Sequence, residues 1–223
     1  MSHSTQIAGL ALAIALAAPQ AFAQSEALTE TEALVLPRLI DSLCIDMVED
    51  RLGCEQVMLL ASETQPDRAD LVIVSDWRDD PASVPLLIAR NVAFSGSMWG
   101  MAPRLEEAPN GSLRLISEQS GIGRFPWFQT FTIAYRDERF VLAGFSYSTY
   151  DRMAGGSMSC DVNLLTGDYT VEATSVDPET EEYVQTLSET GQTDPRDLDV
   201  ANLGTNAPFP APCEAGIAAI DSY

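Results

Sequence analysis

The chain has 223 residues, with 33 acidic side chains against 12 basic ones, a formal net charge of −21, four cysteines and one histidine. Every basic residue is an arginine and the histidine is His3, so any chemistry after position 3 proceeds without imidazole or amine. That excludes Ser-His-Asp and Cys-His catalysis, H-E-x-x-H zinc sites, Schiff bases and P-loop lysines. So negative a surface also repels phosphate backbones and anionic lipid, which leaves nucleic acid and bare membrane as poor partners.

Ile7 to Ala18 is an unbroken apolar run, and Pro19, Gln20 and the small-x-small sequence Ala21-Phe22-Ala23 follow it. The run is shorter than the ~20 residues a bilayer span needs. It reads as a cleavable signal peptide over residues 1–23, giving a periplasmic or secreted protein cut after Ala23. No cysteine stands directly after the cut to take a lipid, and no later stretch is apolar enough to anchor the chain in a membrane. Cys44, Cys54, Cys160 and Cys213 all lie beyond it, and an even count in an exported chain reads as two disulfides. Zinc is the competing reading, but no CxxC pair and no second histidine support it. All three pairings are open, since a local Cys44–Cys54 bridge requires that any helix here stop near Asp46.

In chain order, Leu36, Leu39, Ile40, Leu43, Cys44, Met47, Val48 and Leu52 recur at spacings of three and four, with Pro37 at the start and Gly53 past the end. That spacing predicts an N-terminal helix over 36–52 laid on a core. Strands are expected over 55–61, 69–75 and 86–94, then over 103–107 and 112–118 around Asn110-Gly111. Asn110-Gly111-Ser112 also matches a glycosylation acceptor. The hairpin from Phe128 to Tyr147 turns at Asp137-Glu138 and sets Tyr135 opposite Phe140, Ile133 opposite Leu142 and Phe131 opposite Gly144. Glu138 suits a two-residue primed turn poorly, which predicts a longer loop. Residues 160–164 and 169–173 make a further pair.

After Ala173 acidic residues dominate. Asp177 as N-cap, Pro178, three early glutamates and Gly191 predict a short helix in this segment. The expected organisation is a globular domain over 24–173 and an acidic segment over 174–223, tied back through Cys213. The fold class is α+β and mainly β: the N-terminal helix on one curved, largely antiparallel sheet of roughly seven or eight strands.

The richest constellation is Arg124, Trp127, Tyr147, Tyr150 and Arg152 at one rim of the hairpin. Aromatics with arginine can stack on and fork onto a protein or glycan partner. The opposing reading is that these residues cap the core and that Arg124 and Arg152 pair with nearby carboxylates. Asp76, Asp79 and Asp80 form an acidic turn with oxygen ligands suited to Ca²⁺, and as a solvated turn they need no ion. No cofactor or metal is implied. Of the catalytic chemistries only a carboxylate pair of the glycosidase kind survives the missing residues. The leading reading is a non-enzymatic interaction module, with a carboxylate-dependent glycan hydrolase as the alternative.

The stretch Arg124-x-x-Trp127, Thr132 to Asp137, Phe140 to Gly144, Tyr147, Asp151-Arg152 and Cys160-Asp161-Val162-Asn163-Leu164-Leu165-Thr166-Gly167 resembles a group of exported Gram-negative bacterial proteins of uncharacterised function. The resemblance covers about positions 110–170. Glu138 stands where that group tends to have glycine. Membership implies export and a compact β-rich domain, and no activity.

Charge gives the first prediction. Raising monovalent salt from about 0.01 to 0.1 M shortens the Debye length from about 30 to 10 Å, so the melting temperature should rise as self-repulsion is screened. A melting temperature indifferent to salt over that range refutes it.

Overall fold

Side chains that alternate between water and core along seven or more residues specify strands, and most of this chain alternates in that way. The clearest case runs Ser157, Met158, Ser159, Cys160, Asp161, Val162, Asn163, in which every second residue is buried. The computed structural model describes residues 28–48, 53–79, 82, 84–98, 101–204, 207 and 209–220. The expected leader, residues 1–23, lies outside them.

Two antiparallel sheets share one core. The first takes β1 (Leu39–Ile45), β2 (Glu55–Ala61), β3 (Arg68–Val74) and β4 (Pro85–Phe94) in sequence order. The second takes β5 (Arg104–Glu107), β6 (Leu113–Gln119), β7 (Trp127–Arg136), β8 (Arg139–Tyr150), β9 (Ser157–Asn163), β10 (Asp168–Val176) and β11 (Tyr183–Gln192), each strand pairing with the one before it. Val57, Leu59, Leu71 and Ile73 of the smaller sheet join Leu113, Phe131, Ile133 and Leu142 of the larger in a single buried cluster. A fully buried residue of this kind contributes about 1.5–3 kcal/mol. The helix α2 (Ala211–Ile220) rests on β9 and β10. It buries Cys213, Gly216 and Ile220. Gly216 permits the close approach, since a Cβ there would stand 2.3 Å from Met158 Cε.

Cys44 pairs with Cys54 and Cys160 with Cys213, at Cα separations of 5.4 and 5.3 Å. The domain is therefore disulfide-stabilised, and the connectivity left open by the sequence is the local pair plus the tail pair. Among the described residues no helix is long and apolar enough to cross a membrane.

Several expectations need correction. The fold is mainly β, but it is two sheets rather than one, and no helix spans 36–52. Leu39–Ile45 is instead an edge strand pairing antiparallel with β2, Leu43 facing Val57 and Cys44 facing Gln56. The three-four spacing of its leucines is overridden by the partner strand and the local disulfide, and the Glu55 carboxylate accepts the N–H groups of Met47 (2.8 Å) and Val48 (3.3 Å) where the chain turns. Residues 49–52, the rest of the predicted helix, lie outside the described residues. The helix α1 (Glu30–Val35) buries nothing, and the helix that packs on a sheet is C-terminal.

The helix predicted after Asp177 is also absent. Asp177 does accept the N–H groups of Glu179 (2.8 Å) and Thr180 (3.1 Å), the chemistry of a helix cap, but the chain turns back as β11. Residues 174–192 thus belong to the large sheet, and the boundary expected after 173 falls inside β10. In the β7–β8 hairpin, Tyr135 faces Phe140 and Ile133 faces Leu142 as expected, while a bulge at Ala143 sets Phe131 opposite Phe145. The turn is two residues long after all: Asp137 and Glu138 both take positive φ, 49° and 61°.

The Cys160–Cys213 bridge closes a span of 53 residues. Replacing both cysteines with alanine should lower unfolding free energy by about 2–5 kcal/mol in urea titration. A loss well under 1 kcal/mol (about the size of an exposed substitution) would show that α2 holds its place unaided.

Candidate functional site

The structure brings the five predicted rim residues together and occupies most of them internally. Trp127 lies edge-on to Phe94 at 5.5 Å and stacked on Tyr147 at 6.3 Å between ring centroids. Tyr147 in turn meets Phe209 edge-on at 4.9 Å, and burial pushes its phenol pKa up. Arg124 forks onto Asp151, its Nε donating to Oδ1 at 2.8 Å and a terminal nitrogen donating to Oδ2. Arg152 pairs with no carboxylate among the described residues and donates to the carbonyls of Gly123 and Ser120. Tyr150 is the one ring of the set that remains substantially open to water.

Asp151 organises this corner. Its carboxylate is 3% exposed and also accepts the Met153 N–H at 2.8 Å, while its own N–H donates to the Gly156 carbonyl. A buried charge needs such partners. Hydrogen bonding from the Arg124 guanidinium, opposed by burial, holds the Asp151 pKa far below the usual carboxylate range. Likewise Arg78 takes the Asp76 carboxylate and pulls its pKa down to about 2. Asp80 lies outside the described residues, and among those described no three His, Cys, Asp or Glu side chains gather as a metal site.

The outer face of the large sheet is a different kind of surface, and the sequence reading missed it. Because side chains alternate, cross-strand register lines up Thr132 with Gly144 and Asn163. It lines up Thr130 with Ser146, Asp161 and Thr170, and Phe128 with Ser148, Ser159 and Glu172. Two hollows of about 520 and 420 Å³ lie on this face and share Thr130, Ser146 and Asp161. Arg114 and Arg136 line the larger hollow, while Phe128 and Glu172 line the smaller. Ser146 donates to the Asp161 carboxylate at 2.5 Å. The available signal was the alternation Phe128-x-Thr130-x-Thr132, Ser146-x-Ser148 and Ser157-x-Ser159-x-Asp161-x-Asn163, which marks a hydroxyl-bearing face opposite the core.

No protein-family model, no curated protein and no solved structure matches the chain. What can be said of the site therefore rests on its own geometry. One end supplies the guanidinium donors Arg114 and Arg136, the other the Glu172 carboxylate, and Asp161 lies between them with hydroxyls able to donate or accept.

The Asp151 anchor yields a pH prediction. A depressed folded-state pKa contributes stability that is present above the unfolded Asp value near 3.9 and is lost as pH falls through the lower folded value. Asp151→Asn should therefore melt below the wild type at pH 7, and the gap should close as both are titrated from pH 4 downward. A gap that stays constant into strong acid would show that Asp151 stabilises by shape and not by charge.

Proposed function

We propose that the protein is an exported, non-enzymatic binding module that takes a neutral polyhydroxylated ligand, a glycan, on the outer face of its large sheet. The observation that carries this reading is the hydroxyl rows of β7 to β10 beside an aromatic ring, Phe128, that is 38% exposed. A sugar offers an apolar C–H face to such a ring and hydroxyls to the Ser, Thr, Asp and Glu groups around it. The apolar run and small-residue exit before Gln24 support export, as do the two disulfides. The missing lysine and the lone His3 support binding without turnover. The rim of Arg124, Trp127, Tyr147, Tyr150 and Arg152 then acts as the brace that fixes one end of β7 and β8, and Tyr150 is its remaining contact with a partner.

The alternative hydrolase reading has one specific observation in its favour. Asp161 faces Thr170, two residues from Glu172 on the next strand, so the two carboxylates are diagonal neighbours in one hollow. Two such groups are the minimum for glycoside cleavage.

A glycan panel followed by calorimetry separates the readings. At least one oligosaccharide should bind without change in mass, and Phe128→Ala should weaken it about tenfold, or 1.4 kcal/mol, with the melting temperature unchanged. Absence of binding across the panel overturns the proposal, as does indifference to Phe128→Ala. Cleavage abolished by Asp161→Asn or Glu172→Gln overturns the non-enzymatic part.

A further inference from the structure

Met98-Trp99-Gly100-Met101 carries two thioethers three residues apart. The Met101 N–H donates to the Met98 carbonyl at 3.2 Å, and the Gly96 N–H donates to the Met101 carbonyl at 3.1 Å. An i to i+3 hydrogen bond of this kind holds its end residues within about 7 Å at Cα. The loop between β6 and β7 approaches from the other side at Gly121. The point where a Gly121 Cβ would stand is 3.1 Å from Met101 Sδ and 3.2 Å from Met98 Sδ, so both sulfurs crowd one small volume. Gly121 does not take the left-handed backbone, and what the arrangement uses is its missing side chain.

We propose that Met98 and Met101 form a binding site for a soft monovalent cation, Cu(I) or Ag(I). Thioether sulfur is a neutral, polarisable donor that selects such ions over Ca²⁺, Mg²⁺ or Zn²⁺, and d¹⁰ monovalent ions accept as few as two ligands. The Gly121 N–H donates to Met101 Sδ at 3.4 Å, which engages one sulfur lone pair and leaves the other for the ion. Met98 is 43% exposed and provides the route from solvent, whereas Met101 is 3% exposed and provides the anchored donor. Both side chains have three rotatable bonds, enough to bring the sulfurs onto an ion between them. Competing soft ligands are few: the four cysteines are bonded in pairs, and the only histidine in the sequence is His3. The net charge of −21 raises the local concentration of any cation. The pair is independent of the sheet face assigned to glycan.

The test is a titration of the disulfide-intact protein, carrying His3→Gln where the leader is retained, with silver nitrate in chloride-free buffer. Native mass spectrometry and calorimetry read it, and Cu(I) is then titrated against a chromogenic Cu(I) chelator. One ion should bind per chain. Met98→Leu and Met101→Leu should each weaken binding at least tenfold, while Met153→Leu, at an exposed methionine elsewhere, should leave it unchanged. Gly121→Ala keeps both sulfurs but crowds them, and it should weaken binding as much as losing one. Should Met101→Leu fail to fold, Met98→Leu at a wild-type melting temperature decides. Lack of saturable one-to-one binding overturns the site, as does equal loss in Met153→Leu or indifference to Gly121→Ala. The last result would leave the two methionines as filler beneath the loop.

Discussion

A sheet seven strands wide has an inner face too broad for a four-stranded sheet to cover, and the architecture answers that mismatch with two different covers. The smaller sheet meets the larger near β5 and β6, and α2 lies over β9 and β10. Phe209 fills the space between by packing against Phe145 and Tyr147. The second cover is weak by itself. A ten-residue helix is marginal in water, and the Ala and Gly of α2 offer little apolar area. The Cys160–Cys213 bridge makes that cover permanent, joining the helix to the strand it protects.

Buried carboxylates fix turns and a bulge within the two sheets in a common way. Glu55 accepts backbone N–H groups after β1, Asp70 accepts the Arg90 guanidinium and the Asn91 N–H at the bulge of β4, and Asp151 holds Arg124 and the turn after β8. Asn91 takes positive φ, 56°, beside that Asp70 contact. Each charge is taken from water only where several donors replace it, and Asp76 with Arg78 follows the same rule, so the acidic composition serves the interior as well as the surface.

Much of the strand content was legible because period-two alternation is a local signal: β2 was read at its bounds and β3 to β10 within one to three residues, whereas β1 and β11 were read as helix. The hairpin pairings were legible up to the bulge at Ala143, which no alternation announces. The errors share a cause. Leu36 to Leu52 satisfies helical spacing, yet what decides Leu39–Ile45 is the partner strand β2, a non-local contact. Asp177 caps backbone N–H groups in a turn as well as it would in a helix. The rim cluster was legible as a cluster through its aromatics and arginines, the types that attract notice. The hydroxyl face was overlooked because Ser and Thr are unremarkable until register aligns them across four strands.

Each strand of either sheet pairs with the one made just before it, so the pairings can form one after another as the chain is extended. The helical cover has no such freedom, because α2 and Cys213 come after every strand. Until they are present, Met158 and Val171, which stand against Gly216 of the helix, line an unprotected inner surface, and Cys160 is a thiol without its partner. Assembly of this fold is therefore directional, with the sheets built progressively and the interior sealed by its last helix. The interval between those events is when the chain is most exposed to aggregation and mispairing.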